Sequence, residues 1–456
     1  MNTRRKFLKQ TVSATAAVIA APVIVPSSVF GANAPSNRIN IGAIGTGRIS
    51  HDHDIPGVWG HRDVRIIAAA DVDANRVADA KKHVENYYTK KTKKRYSGFT
   101  VYENYLDLLA NKDIDAVLIS TPDHWHAKQA IDAVRAGKDV YLQKPTSLTI
   151  EEGRKMSDAV KASGRIFQIG SQQRSMEQFR VACELVRNGR IGQLKSIEVR
   201  LPGDPSGGKT KEMPVPKGFN YDAWLGSTPN VYYTVDRVHP QRGYGRPGWL
   251  RCEQFGAGMI TGWGAHHFDI AHWAMDKEYS GPVEISGKAQ FPKPGSGLWD
   301  VHGRYETRMV YDNGVIVTGV TDTREKPNGL LFTGTKGWIF VSRGSYAAAP
   351  NEPISTKTKA LQASDPKILS PFTKNDTVRL YKSTDHHANW LASIRSRKPN
   401  ITPVEVAHRS CSACLLQHIA MKLNRTLYWD PAVERFKNDA EANAMIARPQ
   451  RSPYNF

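Results

Sequence analysis

Cysteine is scarce, with four in 456 residues, and only Cys411 and Cys414 stand close together. Four thiols over that length make no disulfide framework, and one close pair without a second offers no complete set of zinc ligands. The periodicity of residues 405–423 predicts a helix with both thiols on one face, packed into a core. Long apolar runs are missing as well. The nearest approach is the uncharged stretch 10–30, whose Ala, Ser and Thr content is too weakly apolar to hold a bilayer, so no stable membrane anchor is expected. Acids are outnumbered, 43 Asp and Glu against 63 Lys and Arg, for a formal net charge of +20. Setting aside Arg4, Arg5, Lys6 and Lys9 leaves +16, still basic. The densest patch is Lys90, Lys91, Lys93, Lys94 and Arg95, which would be the obvious contact of a nucleic-acid binder. It lies in a Tyr/Thr/Lys-rich stretch between two helical patterns and reads better as a solvated loop insertion suited to acidic glycans, so no nucleic-acid partner is expected.

What is present describes a folded globular chain. Hydrophobic residues make up 40% of it, aromatics 9% and charged residues 23%, which excludes bulk disorder. Its length exceeds what one core supports, so two domains behind a leader are expected. The leader, residues 1–34, opens with Thr3-Arg4-Arg5-Lys6-Phe7-Leu8-Lys9 and continues into the uncharged stretch. Paired arginines ahead of Phe-Leu-Lys read as a twin-arginine signal peptide, an address for bacterial export. Ala32-Asn33-Ala34 is the cleavage candidate. The expected partner is the twin-arginine export machinery, and the expected location is periplasmic.

Behind the leader, residues 38–44 alternate as a strand entering Gly45-Thr46-Gly47-Arg48-Ile49-Ser50, and a second strand over 64–70 ends at Asp71, 26 residues after Gly45. This is the start of a β-turn-α-β unit that binds a dinucleotide. Gly45 permits the tight turn, and Gly47 lets the backbone approach a pyrophosphate seated on a helix N-terminus. Ser50 stands where a third glycine is usual. Asp71 would accept hydrogen bonds from the adenosine ribose, favouring NAD, while nearby Arg76 leaves NADP open. The alternation continues with helices near 102–110 and 126–136 and strands over 116–120 and 139–142. Thr121-Pro122-Asp123-His124 and Gln143-Lys144-Pro145 thus follow successive strand ends, the edge where open α/β sheets bind ligands. After Ile166 the βα rhythm gives way to strands over 196–201, 284–289, 306–311 and 315–321, and the Pro/Gly-rich stretch 202–248 reads as loops able to cover a cleft.

The Gly45–Ile49 turn, Thr121-Pro122-Asp123-His124-Trp125-His126, Gln143-Lys144-Pro145, Gly170-Ser171-Gln172-Gln173-Arg174 and Gly262-Trp263-Gly264-Ala265-His266-His267-Phe268-Asp269 together resemble the glucose-fructose oxidoreductase, inositol dehydrogenase and rhizopine-catabolism (Gfo/Idh/MocA) family. The resemblance covers nearly all of the chain behind the leader. It implies an α/β fold: a Rossmann domain with a parallel, doubly wound sheet over 35–165, then an α+β domain over 166–456 with an open, mainly antiparallel sheet. That second domain would carry the substrate face and often an oligomer interface, so a homo-oligomer is expected.

The resemblance further implies that Lys144 lies beside the nicotinamide and the reacting hydroxyl, and that His266 is the second acid/base group. Ser120, Thr121, Pro122, His124, His126, Gln143 and Gln172 would contact the cofactor. Gln173, Arg174, Trp263, His267 and Asp269 would face substrate, and no metal is expected. Two departures stand out: Gln143 replaces the acid of the family's E-K-P motif, and Gly262 replaces the acid four residues before the histidine. The expected activity is NAD(P)-dependent oxidation of a secondary hydroxyl on a sugar, glycoside or cyclitol. Export implies a tightly held cofactor recycled by a second substrate. A glycoside hydrolase or lyase that oxidises its sugar transiently is the first alternative, and a sugar-binding protein without turnover is the second.

Overall fold

The computed structural model describes residues 38–344 and 360–456. The twin-arginine leader and its cleavage site lie outside the described residues.

Six strands form the first sheet: β1 (Ile39–Ile44), β2 (Val64–Ala70), β3 (Thr100–Tyr102), β4 (Ala116–Ile119), β5 (Asp139–Leu142) and β6 (Phe167–Ile169). They pair in parallel in the order β3-β2-β1-β4-β5-β6. Every residue of β4 and β5 is buried, because a parallel sheet is covered on both faces and its strands read as continuous apolar runs. The strand order reverses between β1 and β4. At such a reversal the loops leaving the carboxyl ends diverge and open a crevice.

The structure corrects several boundaries. The helix expected from 102 begins at Tyr105, since Thr100–Tyr102 pairs with β2 and Asn104 caps the helix by accepting from the Leu106 N–H. The helix expected from 126 runs Asp123–Arg135, so Asp123 and His124 occupy its first turn. The basic run is no loop insertion: Lys90 and Lys91 close the helix Ala74–Thr92, and Lys93 ends it in the left-handed region. Cations there oppose the negative end of the helix dipole. Phe167–Ile169, beyond the expected domain boundary, completes the first sheet.

The second sheet has nine strands: β7 (Leu194–Leu201), β8 (Glu284–Ala289), β9 (Tyr305–Val310), β10 (Ile316–Thr321), β11 (Gly329–Gly334), β12 (Gly337–Val341), β13 (Leu361–Ala363), β14 (Leu427–Asp430) and β15 (Arg435–Phe436), in the order β13-β12-β11-β7-β10-β9-β8-β14-β15. Only β7 and β10 run parallel; their neighbours are antiparallel. The buried helices Gly264–Met275 and Val404–Leu423 pack with this sheet into one core. Cys411 and Cys414 lie in that core as free thiols. The chain then returns to the first domain: Trp390, Leu391 and Ile394 join the core under β1 and β2, and Val404 and Ala407 join the core beside β4 and β5.

Candidate active site

A cavity of about 640 Å³ opens at the strand-order reversal, within the range of small-molecule and cofactor sites. Gly45, Gly47, Arg48, Ile49, Asp71, Ser120, Thr121 and Pro122 line it together with Gln143, Lys144, Gln172, Trp263 and His266. Gly45 has φ +79°, and a Cβ there would meet Thr121 Cγ2 at 2.7 Å. A Cβ on Gly47 would meet nothing within 4 Å, so the backbone is bare toward the cavity. Thr46 does not line the cavity; it holds Asp71, donating to Oδ2 from its backbone N–H (2.7 Å) and its hydroxyl (2.9 Å). An open glycine and a strand-end carboxylate in one cavity fit the pyrophosphate and ribose of NAD, and Thr121, Pro122, Gln143 and Gln172 line the same cavity.

Lys144 follows β5, and its Nζ donates to the Gly262 carbonyl at 2.9 Å. The backbone thus accepts from the lysine where the second acid of the motif is missing. Gln143 donates through Nε2 to Asp54 Oδ1 (2.8 Å), and Asp54 Oδ2 accepts from the Ser120 hydroxyl (2.6 Å). Asp54 is fully buried, so the first missing acid has a counterpart on a different element. His266 lines the cavity, and among the described residues its Nδ1 has no hydrogen-bond partner. Burial, helped by the positive charge of Arg343, holds its imidazole well below the ordinary range, so the ring is neutral at pH 7.

Other expected site residues are turned away from the cavity. His124 Nε2 meets the Trp224 carbonyl (2.8 Å) inside an aromatic cluster with Phe255, and burial pushes it down to about 3. His126 sits between the carbonyls of Pro145 (Nδ1, 2.6 Å) and Thr121 (Nε2, 2.8 Å), pinning the two strand-end loops together. Burial pushes it down to about 4, and a neutral ring donates to one of those carbonyls. Arg174 and Asp269 form a buried bidentate pair (2.6 and 2.8 Å), with Glu278 on the third guanidinium nitrogen and Ser410 donating to Asp269. His267 faces Asn328 Oδ1 (3.1 Å). Gln173, with its amide oriented to satisfy both neighbours, donates to the His266 carbonyl (3.0 Å) and accepts from Arg343 (3.2 Å). Arg174, Asp269, His267 and Gln173 thus support the helix Gly264–Met275 that carries His266, and none of them lines the cavity.

Residues 39–171 match the profile of the Gfo/Idh/MocA oxidoreductase family's NAD-binding Rossmann fold, and residues 206–456 match that family's C-terminal α/β domain. The chain belongs to this family. As a Gfo/Idh/MocA member it is similar to the uncharacterized oxidoreductase YrbE of Bacillus subtilis, 24% identical over 71% of this chain and 77% of that protein. It is likewise similar to an inositol 2-dehydrogenase of Rubrobacter xylanophilus, 24% identical over 64% and 72%. A glycosyl hydrolase family 109 protein of a Shewanella species is 28% identical over 42% and 44%. Among solved structures, the aldose-aldose oxidoreductase of Caulobacter crescentus superposes with a TM-score of 0.58 at 17% identity, covering 86% of this chain and 99% of that one.

In this Gfo/Idh/MocA member three further residues shape the site, Arg343 and Asp54 outside the family motifs and Asp123 within one. Arg343 lines the cavity with its guanidinium over the Trp263 ring at 4.5 Å; it comes from the second sheet, too far along the chain for spacing to point to it. Asp54 lies on the π-turn Ser50–Asp54 after the glycine turn, a distortion that periodicity does not reveal. Asp123 stood inside a quoted motif, and its place at the mouth of a strand-end helix was the available signal. Over the cavity lie His239, Arg246, Pro247 and Trp249 of the 202–250 stretch, and Pro453 and Tyr454 of the C-terminus. His239 pairs with Asp73 (2.9 Å) and Arg76 donates to the Pro240 carbonyl (2.5 Å), tying this cover to the Rossmann domain.

Proposed function

We propose that the chain is an exported, NAD-dependent oxidoreductase that acts on a secondary hydroxyl of a sugar, glycoside or cyclitol and keeps its cofactor through the catalytic cycle. The observation that carries this reading is that Lys144 and His266, from two domains, line one cavity with the glycine turn and Asp71, the groups that fit NAD. Bound NAD supplies the electron acceptor. Lys144 takes the alcohol proton, neutral His266 hydrogen-bonds the same hydroxyl and keeps it oriented, and Trp263 under Arg343 gives a flat apolar wall of the kind sugar rings stack on. Arg76 favours NAD over NADP, since it is engaged by Pro240 and lies 4.4 Å over the Tyr244 ring.

Retention is supported by the cover. Arg451 donates to the Gly226 carbonyl (3.0 Å) and to Asp222 (2.5 Å), Tyr454 donates to Asp222 (2.9 Å), and Arg448 bridges Glu152 and Ser227. These bonds lace the C-terminal segment to the short helix Tyr221–Leu225 and the turn after it, beside the crevice. A periplasmic enzyme loaded before twin-arginine export gains from such a closure, because a second carbonyl substrate must then reoxidise the cofactor in place. The exposed, charge-studded face of the second sheet, with Arg308–Glu284 and Lys326–Glu198 pairs, is the surface available to a homo-oligomer. Initial rates with a sugar donor and an aldose or ketose acceptor varied together should give parallel double-reciprocal lines with no NADH in solution; intersecting lines with NADH released each turnover would overturn the captive cycle.

A second reading is favoured by one observation: neither Gln143 nor Gly262 brings an acid to the site, and a family 109 glycosyl hydrolase is among the relatives. In that reading the sugar is oxidised only transiently while its aglycone leaves. Release of phenol from an aryl glycoside without net change in NADH favours it.

A further inference from the structure

Asp123 is a buried carboxylic acid that the function above does not use. It opens the helix Asp123–Arg135, directly after β4, while Lys144 directly follows the neighbouring strand β5, with Ile119 and Leu142 paired in register. Both side chains line the same cavity. Asp123 is 3% exposed, and Gly256 packs so close that a Cβ there would lie 3.3 Å from its carboxyl oxygen. The charge acting on it is that of Lys144. A carboxyl so enclosed in the cavity that Lys144 lines brings to the lysine an acid that neither Gln143 nor Gly262 supplies.

We propose that Asp123 is the proton-holding partner of Lys144: the two share a single proton through a water or the substrate hydroxyl, so that Lys144 stands as a free amine at neutral pH. Burial favours the uncharged arrangement, carboxylic acid plus amine, over the separated charges; it pushes Asp123 up to about 8, against the pull of the Lys144 charge. When the alcohol is oxidised, its O–H bond breaks and the proton goes to the Lys144 amine. The carbon-bound hydrogen leaves with its electron pair to the nicotinamide ring of NAD, and the carbonyl forms. The pair gains one positive charge as the nicotinamide loses one, so the net charge in the cavity stays constant. The remaining groups facing the pair do not compete. His126 is pushed down to about 4, His266 well below its ordinary range, the Cys411 thiol up to about 11, and Arg343 stays charged beside His266.

Only the alcohol step rests on the oxidoreductase reading; the shared proton is tested without it. Trace acetylation of the purified protein by acetic anhydride from pH 6 to 9, followed by mass spectrometry of the Lys144 peptide, reports the fraction of free amine. The wild type and Asp123→Glu should acetylate at Lys144 at a nearly constant rate. Asp123→Asn, whose lysine must lose its proton to solvent, should rise about tenfold per pH unit, as exposed lysines do. The same profile in wild type and Asp123→Asn would overturn the pairing. In turnover, Asp123→Asn should lose about 10²-fold in kcat at pH 7 with KM changed little, and recover about tenfold per pH unit above it. An equal loss at every pH would mark a merely structural aspartate. Absence of any turnover in the wild type would overturn the redox reading and leave the acetylation contrast standing.

Discussion

Gly45 and Gly47 are two residues apart and do different work. Gly45 has a positive φ, and a Cβ there would press into the Thr121 backbone, whose N lies 2.9 Å away. Gly47 faces open space on the cavity side. Gly45→Ala is therefore expected to lower stability by about 1–2 kcal/mol from the backbone conformation alone. Gly47→Ala should strip the purified protein of nucleotide and share the urea midpoint of nucleotide-free wild type. Urea melts and nucleotide content on the same preparations check this; equal destabilisation by the two would contradict the assignment of Gly47 to the pyrophosphate. The same scale explains which site residues were legible. Lys144 and the glycine turn sit at strand ends, where alternation alone marks the ligand edge. His124, His126, Arg174, His267 and Asp269 are drawn from the same motifs, yet a motif does not tell which side of a helix meets the cavity and which meets the core. Adjacent residues on a helix point about 100° apart, and so Asp123 faces the cavity while His124 enters the aromatic cluster.

Helices Asp123–Arg135 and Gly264–Met275 carry an unusual load of buried, neutral histidine. His124 and His267 are pushed down to about 3, and His126 and His272 to about 4, in each case chiefly by burial. Their folded-state values lie below the unfolded value of 6.5, so below that pH the unfolded chain binds protons that the folded chain refuses. Stability is full above about pH 6.5 and falls on acidification, by about 1.4 kcal/mol per pH unit for each such histidine. Urea midpoints at pH 7 and pH 5 should differ steeply, and equal midpoints would show that these rings protonate in place. At the element scale the sequence reading was good where burial writes a pattern. β8 was predicted residue for residue, whereas β3 was missed because its three residues are largely exposed and carry no alternation. The basic run misled because lysine favours helix ends as readily as loops.

Across the whole molecule, the two domains are joined by more than a linker. The first domain's core takes in Trp390 and Leu391, and the C-terminal segment laces Asp222 and Glu152 across the crevice. Residues from both ends of the fold thus meet around the crevice, and the proposed retention of the cofactor rests on this closure. Contacts of this range, between residues hundreds of positions apart, leave no local pattern, so the sequence implies an NAD-binding chain without this closure. The measurement that tests this account most directly is to dialyse the natively exported protein exhaustively, denature it with and without prior exposure to a sugar substrate, and identify the released nucleotide by mass spectrometry. The account predicts about one NAD per chain, converted to NADH by the sugar while still bound. A chain that yields no nucleotide, or loses it to the dialysate, would contradict it.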